Sequence, residues 1–245
     1  MEEAFGIAGE ERIAPDKQEP LSVRRLIGSA SVVRTAGITV LFLPPAIVGI
    51  SGLAFGAEVV PTLTRDVGAI PGKFPFKGFL SSLGAFLLFL ASAVPLLTVR
   101  LRWAKISENT ARFLAAMAIL SALLWIDDYF MMHERVLHQT FRIREELTLA
   151  AGGVIVLAYF RYFWREIWSH HPKLMLVTMA CLCGSVMLDV IEEPMKLVMG
   201  DWQYFFEETL KWFGIVGWCY WNASYCDRVI ADRGVGYPQD WERSG

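Results

Sequence analysis

Six apolar runs, each close to 20 residues long, constrain this chain more than any other feature. They cover residues 36–57, 78–99, 113–133, 148–165, 174–193 and 208–226. A helix needs about 20 apolar residues to cross roughly 30 Å of hydrocarbon. The chain is 54% hydrophobic with a mean hydropathy of +0.39, which is too apolar for an ordinary soluble domain. We therefore predict an all-α fold: a polytopic membrane helix bundle with about six transmembrane helices.

The predicted organisation is one membrane domain between two tails. Residues 1–32 form a polar N-terminal tail, residues 33–227 the transmembrane domain, and residues 228–245 a polar C-terminal tail. With six spans, most of the 23 Lys and Arg residues fall on the side of the two tails. The positive-inside rule then places both termini in the cytoplasm. The expected location is the plasma (inner) membrane, with the lipid bilayer as the surrounding partner.

Charge and cysteine usage exclude some functions. A net charge of −2 gives no reason to expect nucleic acid binding. The four cysteines include no C-x-x-C pair, so packing is a better interpretation than redox or metal chemistry.

Several local signals predict breaks and contacts. Pro44-Pro45 predicts a kink or a new start in the first helix, and Gly52-x-x-x-Gly56 predicts a close helix contact. Pro194 predicts that the fifth helix frays or turns near Glu193. His170-His171 is expected to lie solvated in a cytoplasmic loop.

Ionisable residues at the end of the third run indicate function. The stretch Trp125–His138 carries Asp127, Asp128, His133, Glu134 and His138 in or beside an apolar helix. Charged groups are expensive in lipid, and they usually face a protein interior and mark a functional site.

Two later clusters are placed to meet this stretch. They comprise Asp189, Glu192, Glu193 and Lys196 in the fifth run, and Glu207, Glu208 and Lys211 in the sixth. In the predicted topology all three clusters lie toward the outer face. Asp127 and Asp189 each lie about 21–22 Å along their helices, several Å below the outer boundary. We therefore predict a polar pocket near the outer leaflet.

Helical spacing divides the residues of the third run. Asp127, Glu134 and His138 follow i, i+7 and i+11, so an unbroken helix presents them on one face. Asp128 and His133 point elsewhere and are kept in reserve.

The pocket has the composition of a metal or acid–base site. Carboxylates with one or two histidines suit a divalent metal such as Zn, Mn or Fe. Glu208 is the predicted general base or acid, with Glu193 and Glu134 as further catalytic residues. The site residues kept in reserve, besides Asp128 and His133, are Glu192, Glu207 and Lys211. The predicted metal ligands are Asp127, Glu134, His138, Asp189 and Glu193.

Two motif patterns carry resemblances. Glu192-Glu193-x-x-Lys196 and Glu207-Glu208-x-x-Lys211 resemble the E-E-x-x-K/R motif of glutamate-type intramembrane proteases, the CAAX-processing group. The resemblance implies a Glu that activates water. Phe130-x-x-x-Glu134 resembles a second motif of that family but precedes the E-E-x-x-K strings. The whole pattern, D-D-x4-H-E followed by two E-E-x-x-K strings, also resembles uncharacterised bacterial multi-pass membrane proteins.

Three functions compete at this point. The first is a metal- or acid-dependent membrane hydrolase acting on a lipid or a membrane peptide. The second is a proton or ion transporter, or a sensor, that uses the same carboxylates as a relay and needs polar residues continuing inward. The third is a structural membrane protein without catalysis.

Overall fold

The described part of the chain is helical throughout. A computed structural model describes residues 30–65 and 76–231, apart from the side chains of residues 30–34, 133–135, 139 and 145–146. Helices make up 89% of these residues, which include no strand. The all-α prediction is therefore confirmed for the described residues. Most of the two predicted tails lies outside them.

Nine α-helices are described within those ranges, and each of the six apolar runs has one. They are α1 Ala30–Phe55, α2 Val59–Thr64, α3 Phe79–Arg102, α4 Glu108–Phe130, α5 Glu145–Tyr162, α6 Trp164–Trp168, α7 Pro172–Val190, α8 Glu192–Met199 and α9 Trp202–Ala231. A 3-10 turn, Trp103–Lys105, follows α3, and a π-helical segment, Met132–Thr140, follows α4.

Four helices are long and apolar enough to cross a membrane. These segments are Thr35–Phe55, Phe79–Lys105, Glu108–Phe130 and Pro172–Val190. Helix α5 is a shorter apolar helix. The chain is thus compatible with a membrane protein.

The chain divides into two units, residues 1–39 and 40–245. The first unit is described only over residues 30–39, which are helical. The second holds every contact discussed below.

The helix ends follow from local sequence. Ser107 caps α4, and its hydroxyl accepts a hydrogen bond from the Thr110 backbone N–H at 3.1 Å. Pro172 stands at the start of α7, where the missing N–H costs nothing. Gly200 separates α8 from α9 with a φ of +57°, a conformation that glycine adopts without strain.

The two proline predictions have different outcomes. Helix α1 runs through Pro44 and Pro45, so the prediction of a new start there was wrong. The fifth run does turn, at Ile191 between α7 and α8. Pro194 lies in the first turn of α8, where the orphan N–H groups of a helix make proline tolerable.

Helix α9 organises the second unit. It packs against α2, α3, α7 and α8, while α4 packs against α3. Aromatic residues fill the larger core, where Phe113, Trp218 and Trp221 are each at most 1% exposed. A smaller core joins α2 to the start of α9 around Val60 and Tyr204.

Helices approach each other closely at two glycines, Gly52 and Gly214. A Cβ built on Gly52 would lie 2.7 Å from Val60 Cγ2, so the predicted close contact exists at Gly52. A Cβ on Gly214 of α9 would lie 2.5 Å from Leu182 Cγ and 3.1 Å from the Leu182 backbone nitrogen. The absence of a side chain at Gly214 therefore allows α7 and α9 to pack this closely.

We expect Gly214→Ala to destabilise the protein by about 1–3 kcal/mol, since the α7 backbone must shift to admit the methyl group. Thermal unfolding in detergent measures the effect. Gly152→Ala is the matched control, because a Cβ at Gly152 meets nothing within 4 Å. Equal melting temperatures for the two variants would contradict the prediction.

Candidate functional site

The predicted face of the third helix does not continue to His138. Helix α4 ends at Phe130, and Met131 adopts a left-handed conformation with a φ of 48°. The chain then resumes as a π-helix, in which Val136 N–H bonds to Met131 C=O at 3.3 Å. The left-handed Met131 and the wider turn of the π-helix both change the angle between successive side chains around the helix axis. The premise of one unbroken helix from Asp127 to His138 was therefore wrong.

Asp128, kept in reserve by sequence reasoning, is the acid of α4 that meets α9. Its carboxylate forms an ion pair with the Lys211 ammonium. The Asp128 side chain is 9% exposed and that of Lys211 is 26% exposed. This contact joins the cluster at the end of α4 to the cluster at the start of α9.

A small cleft surrounds the ion pair. Its volume is about 10 Å³, and its polar lining comes from Asp128, Glu208, Lys211 and Ser81. Glu208 is buried, with 7% exposure. We call Asp128, Glu208 and Lys211, with the cleft that they line, the charge centre. The remaining lining residues are Leu80, Gly84, Trp212 and Ile215.

A second network links α8 and α9 to the end of α2. Glu192 forms an ion pair with Lys196, and it accepts a hydrogen bond from Tyr204 Oη at 2.6 Å. Arg65 Nη1 donates to the same tyrosine oxygen at 3.1 Å. Both cations also lie over the Tyr204 ring, at 4.8 Å for Arg65 and 5.1 Å for Lys196. We call these four residues the tyrosine clamp.

The clamp fixes the protonation state of Glu192. Burial alone raises the pKa of this carboxyl, but the hydrogen bonds from Lys196 and Tyr204 outweigh it, and the net effect lowers the pKa below 4.5. Glu192 is therefore ionised at neutral pH and holds both partners.

Glu207 lies between the two networks. Four charged residues lie close enough to act on its carboxyl, namely Asp189, Lys211, Glu192 and Arg65. Gln203 Nε2 donates to its carboxylate at 3.3 Å. Asp189 of α7 thus belongs to the same polar region as the first turns of α9.

Glu193 does not belong to that region. Its side chain is exposed, because the turn at Ile191 rotates α8 relative to α7. The break at Ile191 separates Glu193 on α8 from Asp189 on α7, two residues that sequence reasoning grouped as metal ligands.

The metal prediction finds no geometric support in the described part of the chain. There, no three His, Cys, Asp or Glu side chains are grouped to hold a metal ion. The described members of the predicted set are Asp127, His138, Asp189 and Glu193. The side chain of Glu134 lies outside the described residues, as does that of His133. The Zn, Mn or Fe site therefore stays a prediction.

A third polar group lies deeper in the bundle. Ser121 Oγ of α4 accepts hydrogen bonds from Trp218 Nε1 at 2.9 Å and from Asn222 Nδ2 at 3.3 Å. All three residues are at most 1% exposed. Polar side chains therefore continue along α4 and α9 beyond the charge centre.

His170 is buried, so its predicted solvation was wrong. Its exposure is 6%, and its Nε2 lies 2.9 Å from Ser224 Oγ. Burial, followed by the charges of His171 and Arg228, lowers the pKa of His170 to about 4. The imidazole is thus neutral at pH 7 and fixes the start of α7 against α9.

A family model described as Domain of unknown function (DUF8692) matches residues 34–225. The chain belongs to this family. Comparisons with curated proteins and with solved structures found no match. In this DUF8692 protein the matched range includes the charge centre, the tyrosine clamp and the Ser121 group.

Sequence reasoning missed two parts of the site in this DUF8692 protein. Nothing in the local sequence marks Tyr204 as a site residue, because aromatic residues are common at membrane boundaries. Arg65 directly follows α2 and comes next to Tyr204 only through the packing of α2 on α9.

Proposed function

We propose that this protein binds a proton and passes it across the membrane, as a proton transporter. The observation that carries the proposal is the charge centre. Asp128 and Lys211 are paired inside an apolar bundle, and the buried carboxyl of Glu208 lines the same cleft.

The charge balance of the centre favours proton binding. Among the described residues, the lining of the cleft carries two carboxylates and one ammonium. Two ionised carboxylates held close together in a low-dielectric interior repel each other, which favours protonation of one of them. Uptake of one proton by either acid removes that repulsion. The centre is therefore suited to exchange a proton with its surroundings.

In the topology that we propose, protons reach the charge centre from the outer side of the membrane. We take all six long helices, α1, α3, α4, α5, α7 and α9, as spans with both termini in the cytoplasm of a plasma-membrane protein. Helix α5, with 18 residues, extends about 27 Å, and α9, with 30 residues, about 45 Å. The charge centre then lies toward the outer leaflet. The tyrosine clamp lies beyond it, at the outer boundary.

A hydrolase acting on a lipid or membrane peptide stays a second prediction with less support. Pockets that bind small molecules usually measure about 300–1,000 Å³, whereas the cleft measures about 10 Å³. A larger groove of about 410 Å³ lies between α1 and α9. Its described lining includes Phe42, Phe205 and Thr209 but neither an acid nor a base.

Proton flux into liposomes tests the proposal. The purified protein is reconstituted with an internal pH dye, and a pH gradient is imposed. Wild type should acidify the lumen faster than empty liposomes, and Asp128→Asn should reduce the rate to that background, because the amide takes up no proton. Asp227→Asn is the matched control, since Asp227 is an exposed acid at the far end of α9.

Other outcomes overturn the proposal. Wild-type flux equal to that of empty liposomes would do so, and so would an Asp128→Asn variant that conducts like wild type. Loss of flux in Asp127→Asn with normal flux in Asp128→Asn would instead support the face predicted from the sequence.

A further inference from the structure

The interface of α3, α4 and α9 continues inward from the charge centre. Ser121 precedes Asp128 by seven residues, and Trp218 follows Lys211 by seven. A spacing of seven keeps each pair on one helix face, about 10 Å apart along the axis. The Ser121 group therefore lies directly inward of the Asp128–Lys211 pair.

One atom of this group lacks a hydrogen bond. Asn222 is fully buried, and its Oδ1 has no partner in the described part of the chain. Ser121 cannot serve it, because Ser121 Oγ already donates to Met117 C=O at 2.8 Å and accepts from Trp218 and Asn222. A buried acceptor without a donor costs about 1–3 kcal/mol.

Contacts on both sides of Asn222 join α9 to α3. Three residues earlier, Cys219 Sγ donates to Leu87 C=O at 3.0 Å. Four residues later, Cys226 is hydrogen-bonded with Thr98. Asn222 is therefore level with Ala91, which lies between Leu87 and Thr98 on α3.

A second acceptor is available at this level. Pro95 lies inside α3 and has no N–H to donate to the carbonyl of Ala91. Ala91 is 4% exposed. The Ala91 carbonyl thus lacks its helix donor at the level of Asn222, and a water molecule has two donors to offer.

We infer that Asn222 Oδ1 and the Ala91 carbonyl bind a water molecule, and that this water extends the route of the proton inward from the charge centre. The role in conduction depends on the proposed function, whereas the water site does not. Buried waters typically satisfy polar groups of this kind.

X-ray radiolytic footprinting tests the water site. Radicals form from water where it is bound, so a Trp218 that is 1% exposed is oxidised only if a water lies beside it. Wild type should show Trp218 oxidation. Asn222→Leu should abolish it, and Pro95→Ala should reduce it, because alanine restores the N–H that Ala91 lacks. Trp164, which is 51% exposed, reports the radical dose in every sample.

Flux measurements on the same variants test the route. Asn222→Leu and Pro95→Ala should conduct more slowly than wild type, and the matched control Asn109→Leu, at an exposed position, should conduct normally.

Each failure has a distinct signature. An unoxidised Trp218 in wild type, or equal oxidation in wild type and both variants, overturns the water site. Reduced oxidation with normal flux in both variants overturns the route. Normal flux in Asp128→Asn overturns the proposed function, whatever Trp218 shows.

Discussion

Replacing Lys211 by methionine is expected to lower the free energy of unfolding by about 3–5 kcal/mol, because the carboxylates of the charge centre lose their compensating charge. The pair is well enclosed, with 9% exposure at Asp128 and 26% at Lys211. Unfolding by a denaturing detergent, followed by tryptophan fluorescence, measures the loss.

A double-mutant cycle isolates the pair from packing effects. Asp128→Asn/Lys211→Met should recover part of the loss, since removing both charges is far less costly than removing one. Lys105→Met is the control at an exposed position and should leave stability unchanged. If Lys211→Met were as stable as Lys105→Met, the pair would not be the buried contact described above.

Phe113→Ala is expected to destabilise the protein by a similar amount, about 3–5 kcal/mol. Phe113 is fully buried, and its ring packs against four other aromatic rings. Centroid distances are 4.9 Å to Tyr225, 5.0 Å to Phe163, 6.0 Å to Tyr159 and 6.1 Å to Trp221. The substitution opens a cavity where α4, the end of α5 and α9 meet.

Phe86→Ala provides the comparison, since it removes the same ring from a position that is 57% exposed. Thermal unfolding in detergent should show a large shift for Phe113→Ala and a small one for Phe86→Ala. Shifts of the same size would mean that the aromatic cluster does not hold these helices together.

The candidate site shows how far sequence reasoning reaches. The ionisable clusters were found from their spacing in apolar runs, and the structure joins those of α4 and α9 through Asp128 and Lys211. The choice of Asp127 over Asp128 rested on an unbroken helix through Met131. That assumption failed because one left-handed residue is enough to end a helix, and nothing in the local sequence marks Met131.

The sequence by itself determined the helical fold class and the segments apolar enough to cross a membrane, because hydropathy and helix length are local properties. Only the tertiary structure decided which acid meets Lys211, how Arg65 reaches Tyr204, and that Asn222 bonds to Ser121 of α4. Neighbouring residues on a helix point about 100° apart. The rotation of each helix in the bundle is set by packing against its neighbours, at glycines such as Gly214 and rings such as Phe113. The sequence of one apolar run therefore does not determine how its own helix is rotated.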